Sequence, residues 1–208
     1  MSQLTSENNI RFDLRLIASW IEPGAKVLDL GCGKGELLAY LQQTKGVIGI
    51  GIEHKEDNVS HCISHGLSVL QGDINEEVED YPDNAFDYVI LSQTLQQVYT
   101  PAKLIHELLR IGNKVVVSFP NFSHWRSRLH LLFTGYAPQT KELPYEWHDT
   151  PNIRVITMKD FRKFIREFGF VVCREAAINS SQTDRQGDVV KFLPNLRATY
   201  GIFLIGKK

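Results

Sequence analysis

A basic surplus is the first thing this 208-residue chain lacks. Its 23 lysines and arginines face 24 aspartates and glutamates, for a formal net charge of -1. Proteins that wrap phosphate backbones usually carry a strong excess of cations, so nucleic acid is not the expected partner. Cysteine is scarce: Cys32, Cys62 and Cys173 are odd in number and widely spaced, which leaves no disulfide framework and no Cys-x-x-Cys metal pair to read. Long apolar runs are missing as well. No stretch approaches the ~20 residues of a membrane span, and the polar segment 1–9 lacks the basic and apolar blocks of an export signal. These absences predict a reducing, cytoplasmic setting with no membrane and no metal.

What is present is alternation. Short apolar runs take turns with amphipathic ones, the pattern of βαβ units around a parallel sheet. Strands are expected at Lys26–Leu30, Val47–Ile52, Leu67–Gln71, Phe86–Leu91 and Lys114–Phe119, with Phe170–Ala177 and Tyr200–Gly206 closing the chain. Helices are expected at 13–21, with Asp13 as N-cap, at 35–43, at 56–65, after Thr100-Pro101, and from Thr157 with Asp160 in a capping-box-like start. The pattern breaks over 120–156, an irregular, aromatic-rich insertion holding one helix, His124–Phe133. That helix is read as a lid with its apolar residues inward and its charges solvated. The acidic run Glu76–Asp83 and the polar stretch Asn179–Leu196 read as loops. The whole, 1–208, is expected to form a single domain.

The strongest local signal is Asp29-Leu30-Gly31-Cys32-Gly33-Lys34-Gly35, where an apolar strand runs through three glycines into a helix. Gly31 permits a tight turn, Gly33 leaves room for a ligand against bare backbone, and Gly35 allows close packing. Glu36 stands where the dinucleotide fingerprint needs its third glycine, and Gly35 follows Lys34 where a P-loop needs Ser or Thr. A carboxylate at Asp29 with no phosphate clamp suits an ammonium group, and so a zwitterionic amino-acid moiety. Glu53, ending the second strand, is placed to accept two ribose hydroxyls. Asp73-Ile74 follows the third strand, where an acid can take an adenine amino group, and Ser92-Gln93 follows the fourth, where the chain passes a reacting centre.

Other residues have blander readings. His61 and His65 stand at i and i+4, a ligand spacing, but no further ligands join them. Cys32 reads as a small packing residue of the turn rather than a nucleophile. His124 and His148 are weak candidates for a general base. Tyr145, Trp147, His148 and Asp149 would line an acceptor pocket or plug the end of the sheet.

The ordered runs VLDLGCGKG, IE, GDI and FDYVIL resemble class I S-adenosylmethionine-dependent methyltransferases over roughly residues 26–119. The resemblance implies a Rossmann-like three-layer sandwich with a seven-stranded, mostly parallel sheet of order 3-2-1-4-5-7-6, its last strand antiparallel. It also implies binding of S-adenosylmethionine or S-adenosylhomocysteine by Asp29, Gly31, Cys32, Gly33, Gly35, Glu53, Asp73, Ile74, Ser92 and Gln93. Longer stretches are similar to one family, the methionine biosynthesis protein MetW. They are Arg11-x-Asp13-Leu14, Leu91 to Gln96, Ser118 to Phe122, His124-Trp125, Leu143 to Trp147 and Thr150 to Ile153. This implies a role in methionine synthesis beside a homoserine O-acyltransferase. The chain departs from the pattern at Lys34, where an acid is expected, at Ser123, where glycine is, and at His148, where tyrosine is. Two functions follow: a partner or regulator of the acyltransferase, or an active methyltransferase of a small-molecule acceptor. No Asn/Asp-Pro-Pro-aromatic run follows the fourth strand, which disfavours methylation of base amino groups.

Overall fold

A computed structural model describes residues 10–180 and 185–208. The leading segment 1–9 and residues 181–184 of the expected Asn179–Leu196 loop lie outside the described residues. In chain order the elements are α1 Phe12–Trp20, β1 Lys26–Leu30, α2 Glu36–Lys45, β2 Ile48–Glu53, α3 Glu56–Ser64, β3 Val69–Gln71, α4 Ile74–Glu77, β4 Phe86–Ser92, α5 Pro101–Ile111, β5 Gly112–Pro120, α6 Trp125–Thr134, α7 Met158–Glu167, β6 Val171–Asn179, β7 Asp188–Val189, α8 Pro194–Arg197 and β8 Tyr200–Gly206.

Side chains alternate across a strand, and here the alternation sorts residues into two cores. Leu28 and Leu30 of β1, Val89 and Leu91 of β4, and Val115 and Val117 of β5 face α5 and α7. Val27, Tyr88, Ile90 and Val116 face α1, α2 and Cys62 of α3. Both faces of the sheet are therefore covered, which is why its central strands read as near-continuous apolar runs. The result is the expected three-layer, Rossmann-like sandwich.

The sheet runs β3-β2-β1-β4-β5-β8-β6-β7. Strands β3, β2, β1, β4 and β5 are parallel, and β8 is antiparallel to both β5 and β6. The seven-stranded expectation is met in the body of the sheet. It is corrected at one edge, where the two-residue β7 adds an eighth strand by pairing Ile178 with Val189 and Asn179 with Asp188. The expected 179–196 loop thus holds a strand and a short helix. Two residues of strand carry no periodicity for a sequence reading to detect.

Helix ends show where local chemistry was legible. Thr157 Oγ1 accepts the Asp160 N–H at 3.1 Å, as the capping box requires. Asp13 is not the N-cap of α1: Arg11 holds that position, and Asp13 lies inside the first turn, 2% exposed, as an ion-pair partner. The far end of α1 is capped from outside its own element, with Lys45 Nζ donating to the carbonyls of Ala18, at 2.7 Å, and Ile21. The acidic run is more ordered than expected. Val78 is buried, Glu79 pairs with Lys103, and Asp83 pairs with Arg110.

The lid expectation is also corrected. On α6 only Ser127 is buried, while Leu132 and Phe133 are 73% and 78% exposed. The helix presents its apolar residues to solvent instead of to the sheet.

Candidate functional site

The strand order reverses between β1 and β4, the place where open α/β sheets leave a crevice beyond the carboxyl ends of their strands. The glycine turn leaves β1 there. Its backbone is tied to β2, with Gly31 and Cys32 both donating to the Ile52 carbonyl, at 2.8 and 3.2 Å. Gly33 sits at φ +58° with nothing within 4 Å of where a side chain would begin, so its face of the turn is open. Gly35, at φ +75°, is different. A side chain there would collide with Leu67 and Cys62, which makes Gly35 a packing residue.

Two cavities, of about 340 and 470 Å3, flank the turn and share Gly31, Asn58, Ser92 and Gln93. They form two lobes of one cleft. Asp29, Cys32 and Gly33 line the first lobe, together with Arg11. Glu53, Asp73 and Ile74 line the second, together with Thr94 and Tyr99. Of the ten ligand-binding residues expected from sequence, only Gly35 lines neither lobe.

Asp29 is 3% exposed. Burial first, and then the neighbouring Glu53 charge, push its carboxyl up to about 7, and no cation among the described residues offsets them. A buried carboxylate with no cation of its own is matched to a ligand that brings one. Glu53 is 8% exposed, and both its oxygens are engaged: Oε2 accepts the Gly33 N–H at 2.9 Å and Oε1 the Lys55 N–H at 2.8 Å. Each carboxylate oxygen accepts two hydrogen bonds, so one site per oxygen remains for a pair of hydroxyls.

Cys32 and Cys62 crowd the Gly33 carbonyl, their Sγ atoms at 3.9 and 3.3 Å. Burial and the Asp29 charge hold the Cys32 thiol well above its ordinary range, so the thiolate that a nucleophile needs is suppressed. This supports the packing reading of Cys32.

Sequence reasoning missed the network behind the first lobe. Gln93 adopts φ +54°, rare for a residue with a side chain. It is held there by Ser118, whose carbonyl and Oγ accept its N–H at 2.9 and 3.1 Å. Its Nε2 donates to Asp13 Oδ2 at 2.8 Å, and Arg11 donates to the same carboxylate through Nε at 3.1 Å and Nη2 at 2.6 Å. Three elements are thereby locked around one buried acid. The Arg11-x-Asp13 spacing was visible in the sequence, but its partner lies 80 residues away at Gln93. Asn58, shared by both lobes, gave no local signal.

The weak base candidates lie elsewhere. His148 is exposed, 3.6 Å from Glu146, and lines neither lobe. His124 is 9% exposed, and its Nδ1 accepts the Arg126 N–H at 3.4 Å as the N-cap of α6. Burial lowers its pKa, which favours the neutral ring. His61 and His65 stack on each other, and no metal-holding group of side chains occurs among the described residues. No helix among them is long and apolar enough to cross a membrane.

Comparison with known proteins fits this geometry. The family model of the methionine biosynthesis protein MetW matches residues 11–205. A bifunctional methionine biosynthesis protein MetXA/MetW of Rhodopirellula baltica is 33% identical over 189 residues, covering 86% of this chain and 30% of that protein. Phosphoethanolamine N-methyltransferase 3 of Arabidopsis thaliana is 27% identical over 179 residues, covering 82% of this chain and 33% of its own length. The chain thus spans about a third of these two relatives. Among solved structures, an Archaeoglobus fulgidus SAM-dependent methyltransferase shares the fold with a TM-score of 0.65 at 18% identity, over 99% of this chain and 94% of that one.

Proposed function

Since the chain belongs to the MetW family of methionine biosynthesis proteins, we propose that its cleft binds S-adenosylmethionine or S-adenosylhomocysteine and that it serves methionine synthesis as a partner or regulator of homoserine O-acyltransferase. The observation that carries the ligand reading is Asp29, a buried carboxylate with no cation of its own among the described residues, beside the open face of Gly33. The ligand's ammonium group supplies the missing charge. Glu53 keeps one free acceptor site on each oxygen for the two ribose hydroxyls. Asp73 and Ile74 border the second lobe, where the adenine fits, and Ser92 and Gln93 bridge the lobes. Gly31, Cys32 and Gly35 shape the turn. When bound, S-adenosylmethionine supplies a sulfonium methyl group.

The partner reading draws support from the Rhodopirellula baltica relative, whose name joins MetXA and MetW in one protein. Fusion raises the effective concentration of two modules that work together. A ligand that binds one conformation better shifts the population toward it, so occupancy of this cleft would report the methyl-donor pool to the acyltransferase. One continuous sheet supports a single domain, and the sequence supports a cytoplasmic setting.

The second reading, methyl transfer to a small acceptor, is favoured by the methyltransferase relatives. Neither His124 nor His148 lines the cleft, so this reading lacks the two bases that the sequence offered it. One experiment separates the two. Purified protein is mixed with homoserine O-acyltransferase, with and without S-adenosylmethionine, while acyl transfer and methyl transfer are both followed. Ligand-dependent acylation without methyl turnover supports the first reading, and turnover on a metabolite supports the second.

A further inference from the structure

A cavity that shares no lining residue with the glycine cleft opens elsewhere on the protein. It measures about 780 Å3 and lies where α1, the start of α6, the end of β6, β7 and α8 meet. Its lining carries four cationic side chains, Arg15, Arg126, Lys141 and Arg197, against two carboxylates, Glu142 and Asp188. The excess is local, because the whole chain is close to neutral. Two half-buried arginines elsewhere are held by acids: Arg110 bonds Glu107 and Asp83, and Arg162 bonds Glu175 through two nitrogens. Arg126, Lys141 and Arg197 form no ion pair among the described residues. The amino end of α6, ten residues long, opens on the same space. Its backbone dipoles add positive potential there. His124 holds that end in place, with its Nδ1 occupied by the Arg126 N–H.

We propose that this cavity is a second ligand site, for a small metabolite carrying carboxylate or phosphate groups, gripped by Arg126, Lys141, Arg197 and the start of α6. Its size suits a metabolite, since small-molecule sites run to about 300–1,000 Å3. It is concave and bounded by five elements, whereas a polyanion needs an extended basic track. Guanidinium groups match carboxylate and phosphate oxygens two at a time. Glu142 and Asp188 favour an anion that also bears an ammonium group.

The two sites are neighbours. One turn of α1 separates Arg11, which lines the glycine cleft, from Arg15, which lines this cavity. Tyr200 is 1% exposed, its hydroxyl has no hydrogen-bond partner among the described residues, and it lies within electrostatic reach of Arg11 and Asp13 at the cleft and of Glu142 at this cavity. The proposal does not depend on what the glycine cleft binds.

The test is calorimetric titration of the protein with citrate and with inorganic pyrophosphate at fixed ionic strength. The same titrations are run on the double variant Arg126→Gln/Arg197→Gln. Both arginines are exposed, so the variant should keep its fold, as checked by circular dichroism. We expect saturable one-to-one binding of at least one probe, weakened about tenfold or more in the variant, with S-adenosylhomocysteine affinity unchanged. Tighter citrate binding assigns a carboxylate ligand and tighter pyrophosphate binding a phosphate ligand. The proposal is overturned if neither probe saturates, or if both proteins bind equally, which is adventitious ion binding. It is equally overturned if a twelve-nucleotide RNA binds more tightly than either probe and loses that affinity in the variant. A failure of S-adenosylhomocysteine to bind the wild type would sink the function proposed above and leave this site standing.

Discussion

The Glu53 carboxylate accepts the backbone N–H of Gly33 at 2.9 Å, so the end of β2 holds the open face of the glycine turn. One residue therefore both shapes the turn and offers acceptors to a ligand beside it. Glu53→Ala should weaken S-adenosylhomocysteine binding by roughly 1.5–3 kcal/mol, the range of charged hydrogen bonds. It should also lower stability, because the Gly33 and Lys55 amides lose their acceptor. Glu53→Gln should lie between in binding. Calorimetry and urea melts on the same samples check both effects, and an unchanged dissociation constant would move the ribose contact elsewhere.

Asp29 gives a prediction with a sign. Its folded value of about 7 lies above the ordinary carboxylate value. Stability from this group is fully present below the unfolded pKa and is lost as pH rises to about 7. Asp29→Asn should therefore be more stable than the wild type at pH 8, by roughly 2–4 kcal/mol. The gain should close toward pH 4. Urea unfolding at several pH values tests this, and a pH-independent difference would refute the buried, uncompensated charge. The same variant should bind S-adenosylmethionine more weakly at pH 8.

Gly33 and Gly35 should fail in different ways. The Cβ of Gly33→Val meets no heavy atom within 4 Å, so the fold should survive with ~1–2 kcal/mol of backbone strain while ligand binding is lost. Gly35→Val collides with Leu67 and Cys62 and should unfold the protein or lower its melting temperature sharply. Comparing melting curves with binding isotherms separates the two. Equal stability loss would mean that the open face of Gly33 is not open.

Asp13→Ala should cost about 3 kcal/mol or more, since it leaves the Arg11 guanidinium and the Gln93 amide without their shared acceptor. Gln93 should then relax from its positive φ. Hydrogen exchange at the Gln93 amide reads this directly, and unchanged protection would show that Ser118 alone holds the backbone.

Much of the fold was legible because parallel strands covered on both faces read as apolar runs, and β1 and β8 match their expected spans residue for residue. The cleft was legible because its glycines and acids sit within short motifs. What escaped depends on distance along the chain. Asp13 looked like a helix cap from its neighbours, but it is the buried ion-pair partner of Arg11 and also accepts the Gln93 amide from 80 residues away. The lid reading of α6 failed because its 3.6-residue pattern predicts an apolar face and says nothing about whether anything covers it. Edge strand β7 exists only through its pairing with β6.

The position of β8 bears on how the chain is made. Strand β5 is complete at Pro120, yet its antiparallel neighbour begins at Tyr200. A ribosome adding about 5–20 residues per second needs roughly 4–16 s to cover that interval. Throughout it the edge of β5, with Val115, Val116 and Val117 destined for full burial, stays open to any other strand. Synthesis speed across residues 121–200, and chaperone supply during it, should therefore govern soluble yield more than the stability of the finished sheet does.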